Sequence, residues 1–206
     1  MAQRWIPFLP AAGLVLCLGL AGLATVQGAS GAQNPAPANL DPAHVRELYF
    51  EAAREGRVDL LQGMIKDGMP IDARDERGYT PLILAAYDGQ LAAVDFLIKQ
   101  GADACAVDPK GNNSLMGVAF KGEAKVGERL LSEHCDVNAV NKSGQTALMM
   151  AALFGRTEMV KLLEAHGADP ALKDASGNTA IGLAAQQGNA EMVAFLRGDG
   201  RPPAAP

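Results

Sequence analysis

The sequence predicts an all-α solenoid, five stacked helix–turn–helix units joined by β-hairpin loops. Three observations carry that expectation. A unit of 33 residues repeats in unbroken register, with copies at residues 42–74, 75–107, 108–140, 141–173 and 174–200. Gly56, Gly89, Gly122, Gly155 and Gly188 fall at one equivalent place, with no insertion or deletion between copies. Within each copy, apolar residues follow helical spacing on both sides of that glycine.

Each element has a local cause. A hairpin glycine (Gly78, Gly111, Gly144, Gly177) precedes a capping residue (Thr80, Asn113, Thr146, Thr179). The cap's side-chain oxygen can accept from the free N–H groups of the first helical turn. Pro81 sits at the first helical position, where its missing N–H costs nothing. Leu82, Leu115, Leu148 and Ile181 follow. The small pairs Ala85/Ala86, Val118/Ala119, Ala151/Ala152 and Ala184/Ala185 then let neighbouring helices approach closely. After the mid-copy glycine a second helix is expected, with Val94, Leu97 and Ile98, or Val160, Leu162 and Leu163, facing the core. Gly68, Gly101, Gly167 and Gly200 are placed to stop it. At the N-terminal end, Asp41-Pro42 can open the first helix, whose Arg46, Glu47, Glu51 and Arg54 suit a terminal copy facing water.

The run Gly78-x-Thr80-Pro81-Leu82-x-x-Ala85-Ala86-x-x-Gly89, followed by Gly101-Ala102-Asp103, resembles an ankyrin repeat, as does the copy ending at Gly167-Ala168-Asp169. The resemblance implies a non-enzymatic protein-binding module with no cofactor, and leaves the partner unnamed. Where the family usually has His after the first-helix Leu, this chain has Ile83, Met116, Met149 and Gly182. The hydrogen bond that His supplies between hairpins must therefore be replaced or lost. The family's concave groove, formed by hairpin tips and first helices, would here carry Glu76, Arg77, Tyr79, Tyr87 and Asp88 in the second copy. The third copy would add Pro109, Lys110, Asn112, Phe120 and Lys121, and the fourth Lys142, Ser143, Gln145, Leu153, Phe154 and Lys173. Tyr87, Phe120 and Leu153 at equivalent places, with Tyr79 and Phe154, form an apolar stripe, with Arg74, Arg77, Lys110, Lys121 and Lys142 as its basic edge. Such a composition suits a protein contact surface. The competing expectation is that those side chains pack between copies, and in the fifth copy Gln186 and Gln187 break the stripe.

Ahead of the repeats, Arg4 precedes an apolar run from Ala11 to Val26 and then small residues up to Ala29. This pattern is expected to be a secretory signal peptide over residues 1–29, the alternative being an uncleaved anchor. Leu16 before Cys17 argues against a lipoprotein signal, which requires a small residue there. Residues 30–41 read as a flexible linker and 201–206 as a disordered tail. A Gram-negative periplasm is the expected compartment, or secretion beyond it. Membrane contact is expected only if the N-terminal segment is uncleaved. With 49% apolar and 5% aromatic residues, the core must be mostly aliphatic. A formal charge of −5 argues against general nucleic-acid binding.

After cleavage Cys105 and Cys135 remain as a candidate disulfide pair in adjacent copies, although two separate, partly buried thiols are the simpler expectation. No nucleophile elbow, zinc-protease motif, phosphate loop or CxxC occurs, and His44, His134 and His166 lie in three different copies. Neither catalytic residues nor a metal site is expected. The third copy is irregular: Gly127 replaces a valine of its neighbours, Asn113-Ser114 replaces Thr-Pro, and His134 replaces a helix-ending glycine. It is expected to be the softest joint, and Gly127→Val is expected to stabilise it. Within binding functions, the readings are a scaffold, an inhibitor or immunity protein that blocks a toxin or enzyme, and an accessory to an exported oxidative-stress enzyme. Self-association through the stripe is a further reading, and an enzyme with a composite site is the one outside binding.

Overall fold

The computed structural model describes residues 41–198. The expected signal peptide, nearly all of the linker, the helix stop at Gly200 and the tail lie outside the described residues. Among the described residues there are ten helices: α1 (Pro42–Glu55), α2 (Val58–Lys66), α3 (Pro81–Tyr87), α4 (Leu91–Lys99), α5 (Ser114–Lys121), α6 (Ala124–Leu131), α7 (Ala147–Leu153), α8 (Thr157–Ala165), α9 (Ala180–Gln186) and α10 (Ala190–Arg197). Odd-numbered helices form a first row and even-numbered helices a second, so the expected helical solenoid is what forms. The first row packs more tightly than the second, because Ala85, Ala86, Ala119, Ala151, Ala152 and Ala184 meet there with essentially no exposed surface. Between the rows lie Leu82, Leu97, Met116, Leu148, Met159 and Leu163, all fully buried.

Every first helix starts on a side-chain cap. Asp41 accepts from the Ala43 N–H at 3.1 Å, and Thr80, Asn113, Thr146 and Thr179 accept from the N–H three residues on, at 2.9–3.2 Å. Each such cap is worth about 1 kcal/mol. The turn between the two helices uses its glycine twice. Gly122 has φ of +89°, and a Cβ there would lie 2.8 Å from Cδ of Arg156 in the next copy. The same Arg156 donates from Nε to the Phe120 carbonyl at 3.0 Å, and Gln90 makes the equivalent bond to the Arg54 carbonyl at 3.0 Å.

The hairpins hold without the missing histidines. Among the described residues they contain one isolated antiparallel bridge, Val107 to Asn113, and otherwise rest on side-chain turns. Asp75 Oδ1 accepts from the N–H groups of Arg77 and Tyr79 at 2.9 and 2.8 Å, and Asp108, Asn141 and Asp174 repeat the arrangement. The backbone N–H and side chain of Asn178 hold the Asp174 carboxyl below the usual carboxylate range. Backbone bonds then link successive tips: the Lys142 N–H donates to the Lys110 carbonyl and the Ala175 N–H to the Ser143 carbonyl, both at 2.9 Å. Asn141 Nδ2 adds a bond to Asn112 Oδ1 at 2.8 Å, and Arg74 reaches the Val107 carbonyl at 2.8 Å. These links replace the expected one.

Two expectations for the third copy need correction. Gly127 is buried, and a Cβ on it would lie 2.9 Å from Sδ and Cε of the fully buried Met159. The missing side chain is thus compensated by a longer one from the next copy, and valine would overfill the space. The cysteines are not separate thiols either. Cys105 and Cys135 form a disulfide, with their Cα atoms 5.5 Å apart. The loop after α6 lies against the loop after α4, and the bond joins them. Arg129 ties the same joint by donating to Asp95 Oδ1 at 2.8 Å and to Glu133 Oε1 at 2.5 Å. The joint expected to be softest is therefore cross-linked.

Ser114 occupies the position of Pro81 in the second copy, and its buried Oγ has no hydrogen-bond partner among the described residues. The preceding Asn113 is extended, at φ −91° and ψ 175°, as a residue before proline must be. In urea denaturation Ser114→Pro should raise stability by about 1 kcal/mol. Gly127→Val should lower it by about 1–3 kcal/mol, less so when Met159→Ala is present. A stabilising Gly127→Val would disprove the packing of Met159 into that space. For the disulfide, with a sequence separation of 30, reduction or Cys105→Ser should cost about 3–4 kcal/mol. Identical denaturation midpoints with and without reductant would contradict the cross-link.

Candidate functional site

The thirteenth residue of each copy, at or next to the end of its first helix, gives the row Arg54, Tyr87, Phe120, Leu153 and Gln186. The fourteenth gives Glu55, Asp88, Lys121, Phe154 and Gln187. Stacking the copies lays the fourteenth residue of one over the thirteenth of the copy before it. Asp88 lies 3.8 Å from the Arg54 guanidinium, Lys121 Nζ lies 5.0 Å from the Tyr87 ring centroid, and the Phe154 ring meets Phe120 edge-on at 4.4 Å. Tyr87 and Phe120 also stack on each other, 6.0 Å apart and 14° from parallel. The result is a ladder of three rings running across three copies.

Its ends are polar. Arg54 pairs with Asp75 and Asp88, and Gln186 Nε2 donates to Asn178 Oδ1 at 2.8 Å. The latter bond shows that the thirteenth residue faces the hairpin of its own copy. Tyr87 and Phe154 remain 38% and 43% exposed, while Phe120 between them is half-buried. An aromatic pair is worth about 0.5–1.5 kcal/mol and an exposed cation–π contact about 0.5–1 kcal/mol. Those energies align the rings without covering them.

The candidate residues separate into three groups. Tyr87, Phe120, Phe154 and Lys121 come together in the ladder. Leu153 and Tyr79, also placed on the stripe, are partly buried against the core, so the fourth copy's ring in the ladder is Phe154. Arg77, Lys110 and Lys142 are exposed on the hairpins, at the opposite end of the first helices. Seven residues of helix in α3 put about 10 Å between the backbones of the two groups, while the thirteenth side chain leans back toward the hairpin. Arg74 is held in place by donating to the Gly78 and Val107 carbonyls, and it stays exposed with its charge on the hairpin edge.

Two residues escaped the sequence reading. Val107 and Val140, the last residues of their copies, are 45% and 55% exposed on the hairpins. The available signal was their place in the repeat, where the flanking copies carry Arg74 and Lys173. His166 accepts no catalytic geometry: its Nδ1 lies 2.9 Å from the Leu162 carbonyl at the end of α8. Among the described residues no three His, Cys, Asp or Glu side chains stand together to hold a metal, and no helix is long and apolar enough to cross a membrane.

Residues 49–98 match a family model of ankyrin repeats in many copies, and residues 115–203 match one of ankyrin repeats in three copies. Together these spans take in more than half of the chain. No curated protein matches it. With the ten-helix stack and its capped, glycine-turned units, the matches make this chain an ankyrin-repeat protein, one of a family of generally non-enzymatic protein–protein interaction modules.

Proposed function

We propose that this chain is exported and binds another protein through the concave surface formed by its hairpins and first helices, with the aromatic ladder as the anchor. The observation that carries the binding reading is the exposure of Tyr87 and Phe154 in a pre-aligned row. Large rings fixed in place lose little rotamer freedom on binding, and aromatic anchors of this kind dominate interface energies. The second-row face supports the reading less well. There Lys99 and Arg129 both pair with Asp95, and Lys161 pairs with Glu158, at 2.6–2.8 Å.

Export rests on the N-terminal apolar run with its small residues, and the disulfide supports it, since such bonds persist in oxidising compartments. The periplasm of a Gram-negative bacterium is the compartment this combination favours. Intact mass of the exported protein should correspond to a chain beginning between Gly22 and Ser30, with Cys105 and Cys135 protected from alkylation. Recovery of full-length, alkylatable chain from the cytoplasm would overturn the export reading.

For binding, Tyr87→Ala or Phe154→Ala should weaken affinity for the partner by about 2 kcal/mol or more. The same substitutions should cost about 1 kcal/mol or less in folding stability, because each ring is already partly in water. Calorimetric titration and urea denaturation on the same samples separate the two effects. Equal losses in both would assign the rings to packing between copies.

A further inference from the structure

The second to fourth copies leave an excess of unpaired positive charge beside the ladder, although the whole chain has a net charge of −5. Arg77, Lys110 and Lys142 are exposed, and among the described residues none of them has an ion-pair partner. Lys121 lies over the Tyr87 ring, not against a carboxylate.

The acids of the same face are occupied. Asp108 is only 6% exposed and spends Oδ1 on the N–H groups of Lys110 and Asn112, and Oδ2 on the Asn112 side chain. Asp75 holds its own turn, and it shares the single positive charge of Arg54 with Asp88, at 3.7 and 3.8 Å. At the fourth hairpin the carboxylate is replaced outright by the neutral Asn141, whose amide joins the third hairpin beside Lys110 and Lys142. Glu76, next to Arg77, is the exposed acid left at these three tips, and Glu123 is exposed at the turn beside Gly89.

We infer that the occupant of this groove is an acidic stretch of protein, with carboxylates on the hairpin cations and an aromatic or large apolar anchor on the ladder. This inference rests on the concave face being the binding surface. The backbones that carry the two groups lie about 10 Å apart along a first helix. An extended chain rises about 3.3 Å per residue. The anchor should therefore stand about three residues from the carboxylates. A nucleic acid could offer negative charge and flat rings, yet four cations on a net acidic protein give it little to neutralise.

The test selects random short peptides, displayed on phage, against the full chain, and measures the enriched peptides by fluorescence anisotropy, with an oligothymidylate as a second probe. Enriched peptides should carry Asp or Glu about three residues from an aromatic or large apolar residue. Their affinity should fall about ten-fold or more with Lys110→Glu/Lys142→Glu, fall similarly with Phe154→Ala, and weaken with salt. Circular dichroism of each variant establishes that it is folded.

Neutral or basic enriched peptides, no enrichment at all, or tighter binding of the oligothymidylate would overturn the inference. Loss with Phe154→Ala but not with charge reversal would also overturn it while leaving the groove as the binding face. Binding unaffected by either variant would remove both readings.

Discussion

The hairpin side of this molecule depends on how closely neighbouring copies approach at the turn between their two helices. Gly122 gives the turn its left-handed φ and also leaves room for the aliphatic part of Arg156. Arg156 in turn binds the carbonyl of Phe120, the central residue of the aromatic ladder. The contact that sets the distance between copies thus fixes the backbone under the rings. A side chain in place of Gly122 would strain the turn and push away the group that holds Phe120.

Charge is distributed unevenly between the two rows. On the second-row helices, Asp95 is held below the usual carboxylate range by hydrogen bonds from Lys99 and then Arg129, so that this tie weakens only as pH falls below about 3.9. Exposed pairs like these contribute little stability. On the hairpins the carboxylates instead organise backbone turns, leaving the cations without partners. The first copy differs again: burial, then the nearby Asp72, pushes the Tyr49 hydroxyl up to about 12, as suits a ring with no exposed surface.

Most of the fold was legible because its causes are local and recur at a fixed interval. Thr80, Asn113, Thr146 and Thr179 cap their helices whatever lies beyond them, and the mid-copy glycines turn the chain wherever the unit recurs. What escaped depends on contacts between copies. Gly127 looked like a defect when read along its own helix, since the side chain that fills its place, Met159, belongs to the next copy. The disulfide was equally hidden, because the separation of Cys105 and Cys135 depends on how two loops in different copies lie against each other. For the ladder, repeat position put Leu153 and Phe154 together with Tyr87 and Phe120 on one stripe, and the offset stacking of one copy on the next is what selects Phe154 to meet Phe120.

The most direct measurement is site-specific photo-crosslinking of the protein in the cells that produce it. A photoreactive phenylalanine analogue would be placed at Phe154 on the ladder and, separately, at Lys125 on the second-row helix α6. Mass spectrometry would then identify any adducts. Binding through the concave face predicts an adduct to a second protein from position 154 and none from position 125. An adduct from position 125 with none from position 154 would contradict it, and would move the binding surface to the second-row helices.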